Sequence, residues 1–309
     1  MPGAASPLAR PLTLQGGPTT TIIPRLIYGT AWKKAQTQGL VQAALTAGFR
    51  GIDTAAQPRH YKEALVAEGL RAALRSGAIP SRADVYVQTK YTPLEEQVRQ
   101  SVESSLANFA VGAAGGGGGG GDDEAYLDCL VLHSPLPTIP ETLRVWQAMA
   151  TYVPHKVRHL GISNVSLPVL RALCQAAAAT QSPHPPFPKP AVVQNRVRAG
   201  YYQPDLYAFC RDEGIVFQSF WTLSANPNLL ASAAVAAVAE GAGVSSPVAL
   251  YSVLLGFERF TVLDGTTSQE HMKEDLEGIE KVGVWAAGEG KAVFESSVVQ
   301  IKEMMGYTS

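Results

Sequence analysis

The stretch GFRGIDTAAQPRHYKEALVAEGLRAALRSG, residues 48–77, contains one strand–helix unit and sets the pattern for the rest of the chain. Its run GIDTA (51–55) is short and largely apolar, as buried strands are. After it, apolar residues recur three and four positions apart, which indicates an amphipathic helix. A strand followed directly by a helix is half of a parallel crossover unit.

The same alternation continues on both sides of this stretch and yields eight candidate strands, most of them followed by a helical segment. Eight such units in 309 residues predict a closed (β/α)8 barrel of the TIM type. The rival is an open doubly wound sheet, which usually carries GxGxxG after its first strand; here the first candidate runs into YGTAWKK. The candidates are LIYGTAW (26–32), GIDTA (51–55), VYVQTKY (85–91), LDCLVLH (127–133), VRHLGISN (157–164), AVVQNR (191–196), IVFQSFW (215–221) and RFTVLDG (259–265).

Three segments fall outside the repeated units. PLTLQGGPTTTII (11–23) predicts a β-hairpin around Gly16-Gly17 that caps the bottom of the barrel. Residues 112–124 contain an unbroken glycine run but no Lys-Ser/Thr, and acidic residues follow it. We therefore interpret them as a flexible insertion in a single domain spanning residues 1–309, and not as a phosphate loop. QSPHPPFPKP (181–190) is a proline-rich loop before the sixth strand.

The composition is that of an ordinary globular enzyme, with 46% hydrophobic and 17% charged residues. Its 25 basic and 26 acidic residues give no basic stripe for nucleic acid.

Cys129, Cys174 and Cys210 lie far apart without CxxC spacing, which argues against disulfides and against a metal site. No apolar run has signal-peptide or membrane-span length, so we expect a cytoplasmic protein, monomeric or weakly homo-oligomeric, with a small-molecule substrate.

Ionisable side chains follow neighbouring candidate strands. Asp53 ends the second strand, Lys90 the third and His133 the fourth, and Tyr61 lies just after the second. Barrel enzymes place their active sites at these carboxyl ends. A tyrosine, whose pKa is normally ~10, becomes a better proton donor beside a cation such as Lys90, and Asp53 would keep that lysine charged. His133 could then orient a substrate oxygen. These groups suit the reduction of a carbonyl.

Four of these segments together resemble the aldo-keto reductase superfamily: GFRGIDTAAQPRHYKEALVAEGL, VYVQTKY, YLDCLVLHSPLP and VRHLGISNVS. The resemblance covers nearly the whole chain. It implies a catalytic tetrad of Asp53, Tyr61, Lys90 and His133, with NADP(H), or alternatively NAD(H), as the hydride carrier. It also implies a set of cofactor-binding residues: Ser163, Asn164 and Gln194 for the nicotinamide carboxamide, Phe220 for stacking on the ring, Leu223 and Ser224 for the pyrophosphate, and Gly265, Thr266, His271, Glu274 and Asp275 for the adenosine end.

The chain departs from the family in three places. The spacing from Asp53 to Tyr61 is three residues longer than usual, which leaves His60 as an alternative donor or a pocket wall. The lysine and arginine that surround a 2′-phosphate in NADPH-preferring members are missing from VLDGTTSQEHMKEDL (262–276), so we expect weaker discrimination between NADPH and NADH. Ser134 stands where several members have a bulky aromatic residue. With Trp32 as a wall, the pocket would then favour bulky or cyclic carbonyls.

Two other functions fit part of the pattern. One is a nucleotide-binding regulatory or interaction barrel without significant turnover, which the longer spacing before Tyr61 keeps open. The other is a Schiff-base enzyme with Lys90 as the nucleophile, which would leave the cofactor-like positions without a purpose.

Overall fold

The computed structural model describes residues 5–15, 20–93, 97–110, 125–180 and 187–307. Its strands are β1 (Leu12–Thr13), β2 (Ile22–Ile23), β3 (Leu26–Gly29), β4 (Gly51–Asp53), β5 (Tyr86–Tyr91), β6 (Leu127–Leu132), β7 (Val157–Ser163), β8 (Val192–Arg196), β9 (Val216–Phe220) and β10 (Phe260–Asp264). The last eight form a closed barrel in the order β10-β3-β4-β5-β6-β7-β8-β9, with every pair parallel. The predicted (β/α)8 barrel is confirmed.

The helices of the described residues are α1 (Thr37–Ala47), α2 (Glu63–Arg75), α3 (Val98–Phe109), α4 (Ile139–Ala150), α5 (Leu167–Ala179), α6 (Pro204–Asp212), α7 (Pro227–Leu230), α8 (Ala233–Ala242), α9 (Ser246–Leu255), α10 (Gln269–Ala287) and α11 (Lys291–Met304). Local sequence fixes several of their ends. Thr138 and Glu141 form a capping box at the start of α4. Gly243, with φ of 62°, ends α8 in the left-handed conformation that glycine adopts without strain.

The barrel strands are buried on both faces, which explains their nearly continuous apolar sequences. In β6 (LDCLVL) all six residues are buried. Because successive side chains point to opposite faces, Cys129 and Val131 join the small cluster inside the barrel, whereas Leu130 and Leu132 belong to the larger core under the helices. All three cysteines are buried and free, as expected for small core residues.

The predicted hairpin closes the amino-terminal end of the barrel. β1 and β2 pair antiparallel, and Leu14 and Ile23 pack into the cluster inside the barrel. Arg259, at the bottom of β10, donates a hydrogen bond to the carbonyl of Thr13 at 3.1 Å. The hairpin's turn at Gly16-Gly17, the glycine-rich insertion at 112–124 and the first part of the proline-rich loop, 181–186, lie outside the described residues.

Candidate active site

A buried ion pair lies at the carboxyl end of the barrel. Lys90 Nζ lies 2.6 and 2.7 Å from the two carboxylate oxygens of Asp53 and donates a third hydrogen bond to the carbonyl of Thr54 at 2.9 Å. Asp53 Oδ1 also accepts from the side-chain amides of Gln88 at 2.6 Å and Gln194 at 2.8 Å. Asp53 is 2% exposed and Lys90 1%. Burial is the largest single effect and lowers the pKa of Lys90, but the charges and hydrogen bonds of Asp53 and Tyr61 together outweigh it and raise the pKa overall, so the amine stays protonated.

Tyr61 lies beside this pair despite the long connection that precedes it. The peptide nitrogens of His60 and Tyr61 both donate to the carbonyl of Gln57, so residues 57–61 form a compact turn that takes up the extra length. Lys90 Nζ lies 5.0 Å from the centroid of the Tyr61 ring. The three additional residues therefore do not displace the phenol from the lysine.

Two opposing effects act on the Tyr61 hydroxyl. Burial raises its pKa, the charge and hydrogen bonding of Lys90 lower it, and the charge of Asp53 raises it, with a net increase. From the sequence we expected Lys90 to make this phenol a better proton donor. In the structure, Lys90 lowers the pKa of Tyr61 only enough to offset part of the increase caused by burial. At neutral pH the tyrosine is protonated, which is the form that a proton donor needs.

His133 completes the group of side chains expected from the sequence. Its ring lies edge-on to that of Tyr61, with centroids 6.0 Å apart. Burial and the positive charge of Lys90 lower its pKa to about 4, so the imidazole is neutral at pH 7. Its Nδ1 lies 2.7 Å from the hydroxyl of Thr92. If that hydroxyl donates, the proton of the imidazole is on Nε2, where it is available to a ligand.

His60 and Trp32 form a wall next to this group. Their ring centroids are 3.9 Å apart, and the peptide nitrogen of Trp32 donates to the carbonyl of His60 at 2.8 Å. Trp32 has φ of 65° and therefore belongs to a turn, which is why β3 stops at Gly29 and does not extend to residue 32 as predicted. The stacking favours His60 as a wall residue over its alternative role as a donor.

A cavity of about 970 Å³ opens above these side chains and continues outward between the amino-terminal ends of α9 and α10. Fifteen of the seventeen expected site residues line it. Lys90 lies beneath its surface, and Ser134 is not among the lining residues, so the lining gives no support to a pocket widened at residue 134. The lining residues that were expected are Trp32, Asp53, Tyr61, His133, Ser163, Asn164, Gln194, Phe220, Leu223, Ser224, Gly265, Thr266, His271, Glu274 and Asp275.

Hydrogen bonds at the ends of β7 and β8 hold polar groups at the cavity wall. Ser163 Oγ donates to the carbonyl of Gln194 at 2.7 Å, and Asn164, with φ of 54°, donates to the carbonyl of His133 at 2.9 Å. The amide nitrogen of Gln194 is already bonded to Asp53 and to Gln218. Asn164 is exposed, whereas Ser163 and Gln194 are 1% and 3% exposed, so Asn164 presents the most accessible of these polar groups.

A cation that the sequence reading missed lies on the next part of the wall. The guanidinium of Arg196, the last residue of β8, stacks on the ring of Trp221 at 4.0 Å and lies 5.7 Å from the ring of Phe220. Within the described residues no carboxylate forms a salt bridge with it. An arginine two positions after Gln194 on the same strand could have been found, because alternate residues of a barrel strand face the same side.

The outer end of the cavity is acidic. Asp264, Glu274 and Asp275 line it together with Gly265 and His271. Burial, followed by the charge of Asp264, raises the pKa of Asp275 to about 8, and burial also raises the pKa of Asp264. From the sequence we predicted Glu274 and Asp275 as cofactor-binding residues, whereas Asp264 was noted only within the segment that lacks the family's cations. Its partnership with a residue eleven positions later depends on how α10 packs against β10.

Comparison with known proteins places these observations in a family. A model of the aldo/keto reductase family matches residues 25–226. Deoxymugineic acid synthase 1 of Oryza sativa subsp. japonica is 27% identical over 252 residues, which cover 72% of this chain and 71% of that protein. D/L-glyceraldehyde reductase of Hypocrea jecorina is 24% identical over 306 residues, covering 86% of this chain and 85% of the relative.

The fold is also that of solved structures. An aldo-keto reductase of Bombyx mori in complex with NADP superposes with a TM-score of 0.67 at 19% identity, covering 89% of this chain and 93% of the other.

As to membranes, no single helix of the described residues combines the length and the apolar composition needed to cross one. Only the bent pair Ala233–Ala242 and Ser246–Leu255, at 104° to each other, meets both criteria when the two are joined.

Proposed function

Since this chain belongs to the aldo/keto reductase family, we propose that it is a nicotinamide-dependent oxidoreductase that reduces an aldehyde or ketone to an alcohol. One observation carries the proposal. A protonated phenol lies against a buried ammonium, which is held by a carboxylate, and a neutral imidazole faces the same phenol across 6.0 Å. These are the groups that a carbonyl oxygen needs while it gains negative charge.

In this proposal, Tyr61 donates its hydroxyl proton to the carbonyl oxygen. The phenolate that remains is stabilised by the Lys90 ammonium, whose charge already lowers the pKa of the phenol against the effect of burial. Asp53 keeps that ammonium protonated. His133, neutral because burial and Lys90 lower its pKa, donates a hydrogen bond that orients the oxygen toward Tyr61. When bound, the reduced nicotinamide supplies the hydride for the carbonyl carbon.

The wall of the cavity fits such a cofactor. Ser163 and Asn164 present a hydroxyl and an amide at the barrel mouth, which suit a carboxamide, and Phe220 offers a ring face for stacking. Leu223 and Ser224 border the path toward α10, and a Cβ on Gly265 would meet no heavy atom within 4 Å, so space remains there for a ligand. We assign the nicotinamide to the barrel mouth and the adenosine to the first turns of α10.

Replacement of the phenol tests the proposal. Tyr61→Phe should lower kcat by about 10² to 10⁴-fold, the usual contribution of a general acid, while the Kd of the cofactor stays within about threefold, because only a transition-state contact is lost. Tyr202→Phe is the matched control, since it removes a hydroxyl that bonds Asn228 and lies outside the cavity wall. Steady-state oxidation of NADH and NADPH with a panel of aldehydes and ketones gives the rates.

A second variant separates the two candidate donors. His60→Gln should retain most of the turnover, because the His60 ring stacks on Trp32 and serves as a wall. Equal turnover of Tyr61→Phe and the wild type, or loss of turnover in His60→Gln alone, would contradict the assignment of Tyr61.

The structural details bear on the two rival functions. The long spacing that favoured a barrel without turnover leads to a Tyr61 that still contacts Lys90, so that argument for the rival is removed. Cofactor binding without any oxidation across the carbonyl panel would restore it. A Schiff base on Lys90 needs a neutral, accessible amine, whereas this amine is 1% exposed, with its pKa raised overall by Asp53 and Tyr61 together.

A further inference from the structure

The charges at the outer end of the cavity bear on which dinucleotide fits there. Three carboxyl groups line it, those of Asp264, Glu274 and Asp275. Among the described lining residues the cations are Lys33 and Arg196, and His271 is the imidazole nearest in sequence to the acids. Arg196 belongs to β8, two strands away from β10 in the barrel, and stacks on Trp221.

Lys33 is not free to serve an anion. It is 6% exposed, and its ammonium donates hydrogen bonds to the carbonyls of Gly265 and Thr266. It also lies 5.6 Å from the centroid of the Tyr28 ring. The lysine therefore supports the loop after β10 from below, and a phosphate would have to break these contacts to recruit it.

The two carboxylate oxygens of Asp264 have different surroundings. Oδ1 accepts from the peptide nitrogen of Thr266 at 2.9 Å, whereas Oδ2 is buried and, among the described residues, has no donor other than a protonated Asp275. The carboxyl group that faces it is that of Asp275, and burial together with the charge of Asp264 raises the pKa of Asp275 to about 8. Near neutral pH the two groups share one proton and keep one negative charge.

The acidic lining and the buried Lys33 disfavour a 2′-phosphate on the adenosine ribose and favour a free 2′-hydroxyl. A phosphate monoester is nearly a dianion at pH 7 and needs fixed cations, but this end of the cavity offers acids. A ribose with free 2′- and 3′-hydroxyls donates hydrogen bonds, which carboxylates accept. In NAD-binding folds an acidic residue accepts such a hydrogen bond from the ribose 2′-hydroxyl.

We propose that Asp264 and Asp275 select a dinucleotide without a 2′-phosphate, so that NADH binds more tightly than NADPH. This goes beyond the weakened discrimination expected from the sequence, because the order of preference is reversed. The inference rests on the proposed function, which assigns the adenosine ribose to the first turns of α10.

Binding, measured without substrate, tests the inference. Quenching of tryptophan fluorescence by NADH and by NADPH gives two Kd values, and we expect NADH to bind at least about tenfold more tightly, or 1.4 kcal/mol. Competition by 5′-AMP and by adenosine 2′,5′-bisphosphate isolates the adenosine end, and 5′-AMP should be the stronger competitor. Equal or tighter binding of NADPH would overturn the inference and leave the proposed function standing. Kd values above about 1 mM for both would overturn the proposed function, and the inference with it.

Variants test whether the preference for NADH depends on the charges of Asp264 and Asp275. Gly265→Lys adds a cation where a Cβ meets no neighbour within 4 Å. Asp275→Asn removes the second negative charge of the pair when binding is measured at pH 9, above the Asp275 pKa of about 8. Under that condition each variant should shift the Kd ratio toward NADPH by about tenfold. Glu277→Gln is the matched control, because Glu277 carries the same charge on α10 but lies outside the cavity wall, and its ratio should stay within twofold. If both site variants keep the wild-type ratio, the assignment to Asp264 and Asp275 is refuted.

Discussion

Replacing Lys90 by methionine would expose how much of the fold depends on the buried ion pair. The change leaves Asp53, 2% exposed, with a charge that no cation balances. It also removes three hydrogen bonds, of 2.6, 2.7 and 2.9 Å. Removing one partner of a buried ion pair typically lowers the free energy of unfolding by about 3–5 kcal/mol.

Two hydrogen bonds to Asp53 remain in this variant, so we expect the loss in the free energy of unfolding to lie near the lower end of that range. Asp53 Oδ1 keeps the amide donors of Gln88 at 2.6 Å and Gln194 at 2.8 Å, so the carboxylate is not left bare. We therefore expect Lys90→Met to lose about 3 kcal/mol. Asp53→Asn should lose a similar amount, because Lys90 is then unpaired. The double variant should lose less than the sum by about 2 kcal/mol, since neither charge remains.

Urea unfolding at pH 7, followed by far-UV circular dichroism and by the fluorescence of the four tryptophans, measures these differences where the two transitions coincide. Lys273→Met is the control, since it removes an exposed lysine that lies 3.7 Å from Glu277, a type of pair that contributes little. A Lys90→Met variant within about 1 kcal/mol of the wild type, or a double variant equal to the sum of the single ones, would refute the reasoning.

Two further predictions concern stability elsewhere in the barrel. Because the fold raises the pKa of Asp275 to about 8, its neutral form stabilises the protein below the ordinary carboxyl pKa, and this contribution is lost as pH rises toward 8. Thermal unfolding should therefore show Asp275→Asn close to the wild type at pH 5 and more stable at pH 8.5, by about 1–3 kcal/mol; a gap that does not widen with pH would contradict this. Gly69→Ala should destabilise α2 by about 1–3 kcal/mol despite the better helix propensity of alanine, because the new Cβ would lie 2.6 Å from the carbonyl of Gln38 and 2.8 Å from Val41 Cβ. Gly39→Ala in α1, where a Cβ meets nothing within 4 Å, is the control for urea unfolding, and equal stability of the two variants would count against the steric argument.

The strands could be predicted from sequence because this fold leaves a strong signal. Strands buried on both faces need apolar residues throughout, so LDCLVL (127–132) is readable as a strand without any neighbour. The carboxyl ends then locate the ionisable residues, since all parallel strands of a barrel open toward one mouth. Strand ends that depend on a turn were harder to predict: β3 stops at Gly29, and the following chain turns at Trp32, whose φ is 65°.

The parts of the site that escaped prediction depend on burial and on distant contacts. Whether Lys33 is free or fixed to the carbonyls of Gly265 and Thr266 cannot be read from a lysine in a turn. The pairing of Asp264 with Asp275 joins a strand end to a helix. The net direction of the Tyr61 pKa was also beyond reach, because it depends on how far burial outweighs the nearby ammonium.

The position of Tyr61 is fixed from the helix side, which explains why the longer loop before it is tolerated. Glu63, the first residue of α2, is 8% exposed and accepts hydrogen bonds from Thr89 of β5 and from Ser105 and Asn108 of α3. Thr89 is the neighbour of Lys90 in the chain, so this carboxylate ties the start of α2 to the strand that carries the ammonium. Tyr61, two positions before Glu63, is then held near Lys90 by the fixed start of the helix that follows it. The turn at residues 57–61 only has to join two ends that are already fixed, and its length can change without moving the phenol away from the amine.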